Sequence, residues 1–254
     1  MIDLDAAAAA LDGALLTATP IAGFGEALGL DDAYRIQRAL VDRRLARGER
    51  RIGAKMGFTS RAKMIQMNVA DLIWGKLTDA MLVDDGGEIA LRGYIHPRVE
   101  PELALLIGRR LSGRVSMLEA QAALAAVAPA MEIIDSRYQQ FRFSLADVVA
   151  DNTSGAGLVI GAWRAAATDI ANIGMVMSIG GQAVQVGSSA AILGHPLRAL
   201  VAAARLAGAA GESLEPGDIL LAGAATAAEP LVPGVHVMVE AGGGLGQASF
   251  TVTA

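Results

Sequence analysis

Apolar positions along this chain change period several times, and the changes mark its elements. Residues 1–50 repeat at helical spacing. Ile36, Leu40 and Leu45 form an inner stripe, Asp31 or Asp32 is placed to cap the helix, and Gly48 to end it. At Arg51 the period drops to two, and Ile52, Ala54, Met56 and Phe58 alternate with Gly53, Lys55 and Gly57. That predicts a strand whose bare face carries one ammonium, with room for a ligand against the glycines. Thr59 or Ser60 then caps a predicted short helix to about Asn68.

Farther along, residues 84–87 read as a turn, and the stretch 96–102 runs into the apolar, strand-like residues 103–107. The capping box Ser116-Met117-Leu118-Glu119 opens an alanine-rich helix predicted to reach Val127. Residues 129–134 predict a strand with a lone Glu132, and Ser144 caps a short helix to Val149. A polar loop over 151–155 precedes the apolar strand 158–160. Residues 175–179 and 182–186 flank Gly180-Gly181, the signature of a two-residue hairpin. A helix from Pro196, a strand over 219–222 and a closing hairpin (235–240 with 247–252) complete the pattern. Helices followed by strands with interspersed helices make an α+β fold with a mixed sheet. We divide the chain into a helical segment, 1–50, and a catalytic domain, 51–254.

Composition narrows the function. The 254 residues are 53% hydrophobic and 19% charged, enough for a large core. A net charge of -5 and only two Trp, three Tyr and five Phe argue against nucleic acid as a partner. There is no Cys, which excludes disulfides and thiolate metal sites. No apolar run is long enough to span a bilayer, and the first five residues lack a basic signal region, so a cytoplasmic protein is expected.

The chemistry concentrates at Glu100-Pro101-Glu102. Side chains at i and i+2 of a strand share a face, so both carboxylates aim at one spot. Pro101 cannot donate to a ladder, which predicts an edge or a bulge here. Spacing alone leaves two readings open: a solvated acidic face, or oxygen ligands of a hard cation. Adding Glu132 gives three carboxylates, half an octahedron for Mg²⁺ or Mn²⁺, with the open half suited to the two oxygens of a 2-oxo acid. Lys55 could neutralise charge developing on such a substrate.

Several segments together resemble the fumarylacetoacetase-like superfamily, in its 2-keto-4-pentenoate hydratase / 4-oxalocrotonate decarboxylase group. They are Gly53-Ala54-Lys55-Met56-Gly57-Phe58-Thr59-Ser60, Arg98-Val99-Glu100-Pro101-Glu102, Glu132-Ile133-Ile134-Asp135-Ser136-Arg137-Tyr138, Asp151-Asn152-Thr153-Ser154 and Leu193-Gly194-His195-Pro196-Leu197. The resemblance runs from about Asp32 to the C-terminus. It implies a mixed β-roll with an N-terminal helical part, metal ligands Glu100, Glu102 and Glu132, and Lys55 as the active-site lysine. Hydratases of the group carry an aspartate where this chain has Ile73, and an isoleucine moves no proton. Lys63-Met64-Ile65-Gln66-Met67, Phe141-Arg142-Phe143 and Thr226-Ala227-Ala228 also resemble the decarboxylase branch, whereas Gly155 replaces a serine often found there.

The resemblance therefore implies Mg²⁺-dependent decarboxylation of a 2-oxo dicarboxylate, 2-oxohex-3-enedioate. A hydratase and a non-catalytic stabilising partner are the competing readings. Ser154 and Thr226 are candidate substrate donors, and Arg137 or Arg142 the candidate cation for the far carboxylate. His96 and His236 are expected to be structural or exposed, His195 to cap a helix, and the methionines to be core filler. The resemblance also implies a homo-oligomer and association with a homologous hydratase.

Overall fold

The structure, a computed structural model, describes residues 2–60, 64 and 72–254. The helix expected after Thr59 and the segment Lys63-Met64-Ile65-Gln66-Met67 lie outside the described residues, Met64 excepted. Two helices open the chain, α1 (Leu4–Thr17) and α2 (Leu30–Ala46). Asp3 caps α1 by accepting from the backbone of Asp5 and Ala6. In α2 the cap is Gly29, and Asp31 and Asp32 lie in the first turn, where they meet the positive end of the helix dipole. Ile36 and Leu40 point inward with Ala33, Gln37, Val41 and Arg44, but Leu45 is turned to solvent. Arg44, not Leu45, sits four residues beyond Leu40 and so shares its face.

The chain continues through β1 (Arg51–Gly57), β2 (Ile73–Thr78), β3 (Leu82–Val83), β4 (Gly87–Ala90), β5 (Arg98–Ile107), α3 (Met117–Ala123) and β6 (Leu124–Ile134). It then runs α4 (Leu145–Ala150), β7 (Gly155–Ile160), β8 (Arg164–Ala165), β9 (Gly174–Ile179) and β10 (Gln182–Ser188). The last elements are α5 (Leu197–Ala209), β11 (Ile219–Leu221), β12 (Glu229–Pro230), β13 (His236–Ala241) and β14 (Gly246–Thr253). Among the described residues nine strands form one mixed sheet in the order β2-β1-β11-β5-β6-β7-β3, with β12 beside β5 and β8 beside β6. Five more form a second sheet, β10-β9-β13-β14-β4. This is the expected α+β class with a mixed, rolled sheet.

Two expectations fail for reasons of pairing. The alanine-rich helix α3 stops at Ala123, and residues 124–128 become strand because Val127 pairs with Leu105 and Ala126 with Leu106. Cross-strand partners override alanine's preference for helix. Pro101 lies in an interior strand, not at an edge. Its carbonyl accepts from Ala225 and that of Leu103 from Ala222, so the side of Pro101 that lacks a donor faces the gap between β11 and β12. No ladder bond is lost there.

The main sheet has two different faces. One packs Val99, Leu103, Leu105, Val127 and Met131 against Met175, Met177, Phe250 and Val252 of the second sheet. The other is the inside of the roll, where β2 closes toward β7. Small side chains permit that curl: Ala104, Ala128 and Ala130 fill the interior with Leu77, Leu158 and Leu221. Glu100 and Glu102 continue the alternation of Ala104 on β5, and Glu132 that of Ala130 on β6. The acidic residues thus sit directly above an apolar plug.

Candidate active site

Three strands deliver the polar residues to one end of the roll. Glu100 and Glu132 are cross-strand partners, and Glu102 follows two residues along β5. One carboxylate oxygen from each lies within 4.8 Å of the other two, and all three residues are buried. Glu102 Oε2 accepts from the Gly223 amide at 2.7 Å, whereas Glu102 Oε1 and both Glu132 oxygens receive no directed hydrogen bond. Burial pushes the Glu102 and Glu132 carboxyls above the usual range, and the neighbouring carboxylates push Glu102 further. Clustered, buried, hydrogen-bond-poor carboxylate oxygens are the donor set of a hard divalent cation. Mg²⁺ or Mn²⁺ fits these residues.

Lys55 faces the same spot from β1. Its ammonium donates to the Thr153 carbonyl at 3.0 Å and lies 3.0 Å from Glu132 Oε1 as an ion pair. The Thr153 carbonyl reaches it because Asn152, Thr153 and Ser154 all adopt left-handed backbone, with φ of 47, 52 and 57°. Such a run costs roughly 1–2 kcal/mol per residue. The surroundings hold it in place. The Asn152 side chain mimics a peptide group, accepting from Lys76 N at 2.8 Å and donating to Lys76 O at 2.9 Å. Gly75 lets the loop approach, since a Cβ there would sit 2.4 Å from Thr153 Oγ1.

The two other glycines of this face differ. A Cβ at Gly53 would meet the Ile219 backbone at 1.9 Å, and one at Gly57 the Ile73 side chain at 2.7 Å. Neighbouring backbone fills the space at Gly53, whereas Gly57, beside Ile73, lines a cleft as the bare face predicts. That cleft, of about 560 Å³, is lined by Lys55 and Gly57 of this face and by Glu100. Ile73, Phe58, Phe141, Phe143 and Val148 give it apolar walls, and Arg98, Arg142, Thr153 and Ser154 contribute polar groups. Ser154 Oγ is buried without a hydrogen-bond partner, as a hydroxyl awaiting a ligand would be.

Arg137 and Thr226 are not brought to this cleft. Arg137 is buried, ion-paired with Asp151, and donates to the carbonyls of Asp135 at 2.7 Å and Asp151 at 2.6 Å. It braces the base of the left-handed loop, so its expected contact with substrate gives way to a structural one. Burial raises the Asp151 carboxyl to about 6, with Arg137 opposing the shift. Thr226 turns its hydroxyl to the Ala227 carbonyl, and Ala227 and Ala228 reach the cleft instead. His195 caps α5 through Nδ1 and the Leu197 amide, as expected. Sequence reasoning missed Arg98, although it stands two residues before Glu100 on the same strand face. It also missed the Asn152 strut, for which asparagine's tolerance of left-handed backbone was the available signal.

The profile of the family described as fumarylacetoacetate (FAA) hydrolase C-terminal matches residues 48–253. A 4-oxalocrotonate decarboxylase of Pseudomonas sp is 59% identical over 236 residues, covering 93% of this chain and 92% of that protein. A 2-hydroxyhexa-2,4-dienoate hydratase of Comamonas testosteroni is 36% identical over 222 residues, covering 85% and 83%. The solved 4-oxalocrotonate decarboxylase from Pseudomonas putida G7, complexed with magnesium and adipate, superposes with a TM-score of 0.94 at 36% identity, over 98% of this chain and 97% of that one. With this coverage and the buried carboxylate site in place, the chain belongs to the fumarylacetoacetate hydrolase C-terminal family.

Proposed function

We propose that this chain decarboxylates 2-oxohex-3-enedioate, with bound Mg²⁺, to 2-hydroxypenta-2,4-dienoate and CO₂, a step of meta-cleavage catabolism of aromatic compounds. The observation that carries this is the buried carboxylate triad facing Lys55 beneath apolar walls, in a chain 59% identical to a decarboxylase of that substrate. Glu100, Glu102 and Glu132 hold the Mg²⁺, which when bound supplies a Lewis acid for the 2-oxo acid end of the substrate. Lys55 faces the 2-oxo oxygen. When the bond to the far carboxylate breaks, its electron pair runs through the double bond to that oxygen. Lys55 stabilises the charge arriving there and can provide the proton that completes the 2-hydroxydiene. One substrate dianion and one proton give one product monoanion and CO₂. Ser154 donates to the substrate. Ile73, Phe141 and Phe143 keep water from the dienolate, and no residue at position 73 can activate water for addition.

The test supplies Mg²⁺ with 2-oxohex-3-enedioate, and separately with 2-hydroxypenta-2,4-dienoate. CO₂ from the first and no 4-hydroxy-2-oxo acid from the second is expected. Hydration without CO₂ release would establish the hydratase reading, which the 36% identical hydratase keeps in view. Intact Lys55 and glutamates speak against a non-catalytic partner.

We place the catalytic unit at 51–254, with the 1–50 helices as its buttress, in a cytoplasmic homo-oligomer that can also join a homologous hydratase. Exposed Val184 and Val186 on β10, an edge strand, support self-association. Among the described residues no helix is long and apolar enough to cross a membrane.

A further inference from the structure

The cleft is bipolar. Glu100 lines it, with Glu102 and Glu132 clustered within 4.8 Å of that carboxylate, and two guanidinium groups, Arg98 and Arg142, line it as well. Among the described residues, no carboxylate is paired with either one. Arg98 is the more fixed of the two. It is half-buried, its backbone is held in β5 between Ile134 and Pro230, and its guanidinium lies 5.0 Å from the centre of the Phe141 ring. Arg142 is exposed and follows the short turn at Gln139–Phe141.

Distance along the strand selects a ligand. Arg98, Glu100 and Glu102 share one face of β5, and each step of two residues advances about 6.6 Å. A six-carbon chain with a carboxylate at each end spans about 6 Å between its terminal carbons, five zigzag bonds of about 1.5 Å. A diacid whose 2-oxo acid end lies at the glutamates therefore brings its far carboxylate to Arg98.

We infer that Arg98 recognises the far carboxylate of the substrate and selects a six-carbon 2-oxo diacid over the corresponding monoacid. This rests on the reading of the site proposed above. The same geometry explains why the grip need not block release of CO₂. Arg98 shares its charge with the Phe141 face, and the carboxylate it holds is surrounded by apolar side chains, where loss of charge as CO₂ is favoured. Arg98 contributes mainly to binding, because the charge it meets is the one the reaction removes.

The test measures binding to the Mg²⁺-loaded protein by calorimetry, using two ligands that cannot lose CO₂ by this route: 2-oxoadipate and its monoacid counterpart 2-oxohexanoate. Wild type is expected to prefer the diacid by about 10- to 100-fold, the range for a charge-assisted pair. In Arg98→Gln the preference disappears while 2-oxohexanoate binds as before, which also shows that the variant is folded. Arg98→Lys keeps a point charge without the fork and recovers only part of the preference. With the true substrate, most of the loss in kcat/KM should appear in KM. A preference retained in Arg98→Gln and lost in Arg142→Gln would overturn the assignment, as would a wild type with no preference. If wild type prefers the diacid through Arg98 yet releases no CO₂ from 2-oxohex-3-enedioate, the decarboxylase reading fails and the Arg98 assignment stands.

Discussion

Replacing Lys55 with methionine preserves most of the side-chain length and removes the ammonium. In the structure that ammonium lies 3.0 Å from both the Thr153 carbonyl and Glu132 Oε1, in a site almost closed to solvent. It is therefore preorganised and poorly screened, the condition under which one electrostatic stabiliser contributes most. Removing such a group costs about 2.7–4 kcal/mol of transition-state stabilisation, or roughly 10²- to 10³-fold in kcat. A separate structural cost of about 1–3 kcal/mol follows from leaving the Thr153 carbonyl without its donor. The two effects are separable. At saturating Mg²⁺ the charge lost beside Glu132 is supplied by the cation, so the variant should stay folded and still bind oxalate through the metal. The assay follows disappearance of the conjugated 2-oxo acid by ultraviolet absorbance, with trapped CO₂ as the product count and the melting temperature measured in parallel. A folded Lys55→Met protein with kcat within threefold of wild type would refute the role given to this lysine.

Three further outcomes follow from the same geometry. Glu132→Gln should abolish Mg²⁺-dependent turnover, and the rise in melting temperature that wild type shows on adding Mg²⁺ should shrink or vanish, read by a thermal scan with and without chelator. Asn152→Ala removes two buried hydrogen bonds to Lys76 and an asparagine's tolerance of positive φ, so it should lower stability by about 2–4 kcal/mol in urea unfolding and reduce kcat as the Thr153 carbonyl shifts. The third concerns Lys76, which is pushed down to about 8 by burial over the Trp74 ring, against the pull of Glu212. A folded-state value below the unfolded one means that the unfolded chain binds more protons between about pH 8 and 10.5. Lys76 therefore makes wild type gain stability, on the order of 3 kcal/mol, as pH rises through that window. Lys76→Met should remove this gain, so the difference between the two proteins in urea midpoint should vary with pH only there.

Local pattern revealed much of the site. Alternation in β1 sets Lys55 on its own face, the i, i+2 spacing joins Glu100 to Glu102, and a carboxylate among the apolar neighbours of β6 singles out Glu132. What stayed hidden depends on partners distant in sequence. Nothing near Arg137 says that Asp151 will lie beneath it, so a buried brace looks like a ligand for substrate. Residues 124–128 lack the β-branched character of a strand apart from Val127, and only pairing with β5 makes them one. Gly53 reads as open space because the backbone of β11 arrives from elsewhere in the chain, whereas Gly57 does line the cleft. The left-handed run 152–154 has no glycine to announce it, and its stability comes from Lys76 and Arg137.

The helices of residues 1–50 belong to the same physical problem. A site that buries three carboxylates above an apolar plug and holds three residues in left-handed backbone is locally costly. The charges can be met by a cation and Lys55, but the backbone strain needs rigid walls. Gln37 of α2 supplies one of them, donating one amide group to the carbonyls of both Trp74 in β2 and Val149 in α4. Those two elements flank the strained loop: Lys76, two residues after Trp74, holds Asn152, and Asp151 follows directly on α4. Around Gln37, Leu11, Ile36 and Leu40 of the two helices pack on Ile73, Tyr138 and Val149. The Ile73 wall of the cleft and the helix α4 that leads into the strained loop therefore share one hydrophobic cluster, to which the N-terminal helices contribute Leu11, Ile36 and Leu40.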